Sequence, residues 1–113
     1  MANTEKTYAL ILGIVALLVG ILGLIQGNLI LGIFGVNTLQ TIVHLLVGVM
    51  GIYAGTMGEG DVFTKWLGWG SLVLGVVGFF GILDTLLNVN TAVNILHVVV
   101  GLVSLVVSYS ASK

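Results

Sequence analysis

The chain has 113 residues, 58% hydrophobic and 6% charged, with a formal net charge of −1. A soluble globule carries about a quarter charged residues, so there is too little polar surface here to face water on every side, and the expected solvent is lipid. The charge balance offers no basic face to nucleic acid, and the absence of cysteine excludes disulfides, thiolate chemistry and cysteine-bound metal.

No charge occurs in residues 7–58, 66–83 or 85–112. A bilayer core takes about 20 apolar residues of helix, so these lengths suit two crossings, one crossing and one crossing. Span one is expected at residues 8–25. It follows Glu5 and Lys6 rather than a basic region and is too long for the core of a signal peptide, so it reads as a retained anchor. An apolar, Gly-rich connection, residues 26–36, is expected in or near the interface. Span two covers residues 37–55. The loop at residues 56–64 holds Glu59 and Asp61 among glycines, a turn composition. Span three covers residues 65–83, a turn follows at 84–88, and span four covers residues 90–109. Each run is far longer than a barrel strand and lacks alternation, and the chain has no proline to break a helix. The expected fold is therefore all-α, a single transmembrane domain over residues 1–113.

The second span returns as the fourth. Asn37, Thr38, His44 and Gly48 answer to Asn90, Thr91, His97 and Gly101, always 53 positions apart. The chain thus reads as two tandem hairpins, residues 1–55 and 56–113. An even number of crossings makes them parallel, related by an axis along the membrane normal. His44 and His97 then lie at one depth, each about 10 Å of helix rise inside its Asn.

Steps of four and three pick out one face of each span. Gly13, Gly20 and Gly23 mark the first; Thr41, Gly48 and Gly51 the second; Gly68, Gly75 and Gly78 the third; Asn94 and Gly101 the fourth. In lipid, large apolar residues gain little by facing protein, whereas small residues let backbones approach. This seam is expected to face the bundle interior, with interhelical polar contacts from Asn37, Thr41, Asn90 and Asn94, and the aliphatic residues are expected to face lipid. Lys6, Lys65 and Lys113 all fall on the side of the termini, which the positive-inside rule places in the cytoplasm. Tyr8, Tyr53, Trp66, Trp69 and Tyr109 cluster there too, as an interfacial belt.

The run Val36-Asn37, six residues, then His44-Leu45-Leu46-Val47-Gly48-Val49-Met50-Gly51, with a later helix carrying Asn90 and His97, resembles a family of small prokaryotic four-helix membrane proteins catalogued only as a domain of unknown function. The resemblance covers nearly the whole chain. It implies the four-helix fold and a prokaryotic cytoplasmic membrane, and it implies no activity. Family members often have His-Asn where this chain has Gln40 and Thr41, which removes a second potential ligand from the first copy of the repeat.

Only the two histidines carry weight as chemistry. An ionisable group inside a membrane is a functional pointer. The plainer reading is a neutral ring hydrogen-bonded across the seam to Thr41, Asn94 or a carbonyl, fixing register. The alternative is a pair of axial ligands holding a haem or other porphyrin-type pigment. Two His without Cys or carboxylate at their level make a poor closed metal site, so no metal is expected. Asn37 and Asn90 suit helix caps. Asp84 reads as a solvated turn residue, and Glu59 with Asp61 lacks the other ligands of a calcium loop. Ser104 and Ser108 have no evident base, so no catalytic activity of the chain's own is expected. The first functional reading is an accessory subunit packed against other integral membrane subunits, with no nucleic acid and no soluble substrate. Cofactor binding through His44 and His97 is the second, and a small channel along the seams is a weaker third.

Overall fold

The structure, a computed structural model, describes residues 2–58, 60–81 and 89–111. Among them are four helices: α1 (Ala2–Gln26), α2 (Thr38–Met57), α3 (Gly60–Gly78) and α4 (Thr91–Ala111). The all-α expectation holds, with one addition. The connection between α1 and α2 forms a two-stranded antiparallel ribbon, β1 (Leu29–Ile30) and β2 (Phe34–Gly35), pairing Leu29 with Gly35 and Ile30 with Phe34.

Three helices contain stretches long and apolar enough to cross a membrane: Thr4–Gln26 in α1, Thr38–Met57 in α2 and Thr91–Ser110 in α4. The third helix, α3, is shorter, at 19 residues, and opens with Asp61 and Lys65 in its first two turns. It also begins five residues before the expected span (65 − 60 = 5) and ends five before it (83 − 78 = 5). The shift has a local cause. Gly58 closes α2 in a left-handed conformation, φ 95°, its N–H reaching the Ala54 carbonyl at 3.2 Å. Asp61 then falls in the first turn of α3, where a carboxylate complements the helix dipole. What composition reads as a loop is thus mostly the start of a helix. The turn expected at 84–88, and with it Asp84, lies outside the described residues, as does Glu59.

The other helix ends also follow from their residues. Asn37 caps α2, its Oδ1 accepting from Gln40 N at 2.8 Å. Asn90 does the same for α4, accepting from Val93 N at 3.0 Å. Gly27 closes α1 with φ 81°. The ribbon turns at Leu31 and Gly32, with φ 55° and 72°, the two positive values that a primed hairpin turn requires. Part of the connection turns inward: Ile30 and Val36 are buried, and Gln40 Nε2 donates to the Gly35 carbonyl.

Packing is led by backbone contact. α1 lies mainly along α2, and α3 along α4. Gly13, Gly20, Gly23, Gly48 and Gly51 are buried in the first pair, and Gly68, Gly75, Gly78 and Gly101 in the second. Each glycine costs about 1 kcal/mol against alanine inside a helix, a loss offset only if it admits something a methyl would block. A Cβ built on Gly13 would stand 2.5 Å from the Ile52 nitrogen, and one on Gly48 would stand 2.6 Å from the Leu17 nitrogen. Gly20 packs on Leu45 and Gly75 on Val98, while Gly101 packs on Leu72. The bulky residues point outward. Leu24, Leu46, Val49, Phe80 and Val106 are all more than half exposed, as hydrocarbon-facing side chains are.

Between the pairs, the start of α3 meets the start of α1, with Gly60 against the backbone of Glu5 and Lys6. The same end of α1 meets the end of α4, where the Tyr8 hydroxyl bonds Ser104 Oγ at 2.7 Å. Gly13→Ala should therefore wedge α1 from α2 and destabilise the protein by about 1–3 kcal/mol, the usual cost of overpacking. Gly70→Ala, where nothing lies within 4 Å of the added carbon, should instead stabilise by up to about 1 kcal/mol through helix propensity. Thermal unfolding in detergent, followed by circular dichroism, distinguishes the two. Asn37→Ala should cost about 1 kcal/mol by the same measure, through loss of the cap.

Candidate functional site

The bundle is not square. α1 and α3 approach each other closely, but among the described residues no Cα of α2 comes within 8 Å of one in α4. The wide diagonal is bridged by side chains. His44 on α2 and His97 on α4 bring their ring centroids to 6.5 Å, with the planes tilted by 43°. Each follows its capping Asn by seven residues (44 − 37 = 7; 97 − 90 = 7).

Both rings wall a cavity of about 240 Å³ inside the bundle. Its sides are Ala16 and Val19 of α1, Val43 and Val47 of α2, Leu67 and Ser71 of α3, and Val93 and Val100 of α4. Ile30, Phe34 and Val36 of the ribbon close one end. The lining is otherwise almost entirely hydrocarbon, with Gln40 and Ser71 as further polar side chains. The two Nδ1 atoms are buried and have no hydrogen-bond partner. The expected bonds from the rings to Thr41 or Asn94 are therefore not made through these nitrogens. The reason is geometric: Thr41 packs on Gly23 and Asn94 on Gly78, so both amphipathic side chains are drawn into their own hairpins and away from the diagonal. Asn94 Oδ1 is itself buried without a partner.

A porphyrin meets a size limit. Pockets for drug-sized ligands run from about 300 to 1,000 Å³, above the volume between these rings, so a haem or similar pigment would enter only with the two hairpins moved apart. A smaller occupant fits as the bundle stands: a hydrocarbon-lined cavity of about 150 Å³ already takes a benzene. Among the described residues no group of three or more His, Cys, Asp or Glu is placed to hold a metal.

The remaining sequence-derived candidates separate into two kinds. Asn37 acts as a helix cap. Asn90 caps α4 and also donates Nδ2 to the Ile33 carbonyl at 2.8 Å, tying the ribbon to the second pair. Thr41 and Asn94 are buried seam residues. Two roles were not evident from sequence. Gln40 ties the ribbon to α2, and its only signal was an amide in an apolar run. Tyr8, read as an interfacial anchor, also joins α1 to α4 through Ser104. Trp66 and Tyr53 remain well exposed, and Trp69 Nε1 makes a long bond, 3.4 Å, to the Tyr109 hydroxyl.

The class is thus a helical membrane bundle with a histidine pair across its wider diagonal. The chain belongs to the family described as a domain of unknown function, DUF4383, whose profile matches residues 6–110. This is the kind of family that the Asn-His-Gly pattern suggested. No curated protein and no solved structure matches the chain.

The Tyr8–Ser104 contact can be weighed directly. A cycle of Tyr8→Phe, Ser104→Ala and the double variant should return a coupling of about 0.6–1.7 kcal/mol, the range of interhelical hydrogen bonds in membranes. Unfolding by a denaturing detergent gives the four stabilities needed.

Proposed function

We propose that the chain is a four-span accessory subunit of a larger membrane assembly, made of two tandem, parallel helical hairpins, residues 1–55 and 56–113. The tandem reading is supported by the register of the contacts. Gly20 on Leu45 is answered by Gly75 on Val98, and Leu17 on Gly48 by Leu72 on Gly101. The first helix of each pair is offset by 55 (75 − 20) and the second by 53 (98 − 45). The orientation, with both termini in the cytoplasm of a prokaryotic cell, is supported by Lys6 lying beside the start of α3, the helix that carries Lys65, and by the positive-inside rule. In this arrangement α3 crosses despite Asp61 and Lys65, because both fall at its first, cytoplasmic turns.

One observation carries the accessory role. An apolar groove of about 670 Å³ runs along the outside of α2 and α3, lined by Met50, Tyr53, Val62, Phe63, Trp66 and Gly70. Gly70 sits in it with open space where a side chain would be. Within each helix pair, close backbone contacts are made over glycines such as Gly13, Gly48, Gly75 and Gly101. In lipid, shape-matched contact against small residues is what associates helices, since hydrocarbon gains nothing by leaving hydrocarbon. A groove with an uncovered glycine suits a transmembrane helix of another subunit.

Photo-crosslinkers placed at Met50 and Trp66 in native membranes should capture a discrete integral membrane polypeptide. Gly70→Trp should fill the groove and abolish that product while leaving helicity and monodispersity intact. A chain that crosslinks only to lipid and purifies alone would defeat the reading. Since the sequence has no cysteine, single substitutions test topology cleanly: Thr56→Cys should react with an impermeant thiol reagent from the cytoplasmic side, and Gly32→Cys from the opposite side.

A further inference from the structure

We infer that His44 and His97 form a two-coordinate site for a soft monovalent metal ion, copper(I), held between α2 and α4. Spacing, cavity volume and surrounding charge bear on it independently, and none depends on the accessory reading.

Spacing decides the coordination angle. A metal–imidazole bond is about 2.0 Å, and a ring nitrogen stands about 1.1 Å from the ring centre, so two imidazoles on opposite sides of one ion have centroids about 6.2 Å apart. At a tetrahedral angle the same bonds bring the centroids to about 5 Å. The observed separation of 6.5 Å is nearer the linear value than the tetrahedral one. Linear coordination by two nitrogens suits a filled-shell monovalent ion, whereas zinc seeks four ligands.

The surroundings decide the charge. Among the described residues the cavity lining contains no carboxylate and no thiolate, so none of them offsets an ion's charge. The cost of taking an ion out of water rises with the square of its charge, making a divalent ion about four times as costly as a monovalent one. Imidazole is a competent copper donor. The volume admits a bare ion without parting the hairpins, which a porphyrin would require. The buried Nδ1 atoms, with no protein partner, give each ring an unsatisfied polar atom that makes an apolar replacement the cheaper choice unless something binds there. Binding forms one copper–nitrogen bond to each neutral ring, releases no proton and moves no electron.

The test uses the full chain purified in detergent under anaerobic conditions, titrated with copper(I) against a chromophoric copper(I) chelator. One ion per chain is expected, with X-ray absorption showing two nitrogen neighbours and a raised thermal midpoint. His44→Gln and His97→Gln should each weaken binding at least 100-fold, while circular dichroism and gel filtration match the parent. Should a glutamine variant fail to fold, stoichiometry and neighbour count on the parent chain still decide. Four-coordinate copper, tighter binding of zinc, undiminished binding by the double variant, or a histidine-dependent Soret band on adding haem would each overturn the proposal. A chain that binds copper yet purifies without partners loses the accessory role and keeps this site.

Discussion

The constraint under which everything else forms is that a helix in hydrocarbon has no solvent to escape by meeting another helix. Association must come from contact itself, and dispersion between two atoms is worth only about 0.1–0.2 kcal/mol at the optimal distance. Many such contacts are needed, and they are had only where backbones come together. This explains the distribution of residue size. Glycines lie between α1 and α2 and between α3 and α4, where an added Cβ on Gly13, Gly48, Gly75 or Gly101 would collide with a neighbouring chain. Many leucines, valines and isoleucines lie outside, while others line the space between the two pairs.

The two tightly packed pairs differ from the junction between them. Within a pair, glycine sets the separation. Between pairs the join is uneven: close at the end holding Gly60 and Tyr8, open across the diagonal from α2 to α4. The histidines occupy the open part. Their position is thus a product of the packing rule, because an imidazole can be accommodated only where backbones stay apart. The ribbon after α1 then closes one end of the space, held by Gln40 and Asn90.

Much of this was legible in the residues, and the limits are physical. Uncharged runs and the absence of proline pointed to long helices, and Asn before Thr marked the starts of α2 and α4. The common seven-residue interval from Asn to His put both rings in one layer. Three features were not legible. The ribbon escaped because strands of two residues have no period to read. The bounds of α3 slipped because acidic residues and glycine suit a loop and a helix start equally well. The unmatched ring nitrogens escaped because hydrogen-bond satisfaction depends on distances between helices. No interval along one chain encodes those distances, and Thr41 and Asn94 turned towards Gly23 and Gly78 instead.

The cavity has a mechanical consequence. The space between the pairs, about 240 Å³, is left unfilled by side chains, and the volume lost on unfolding scales with such space. Hydrostatic compression therefore acts on this bundle chiefly through its centre. It favours whatever collapses or fills the space behind the two imidazoles, while the glycine contacts, already at closest approach, have almost no volume left to yield.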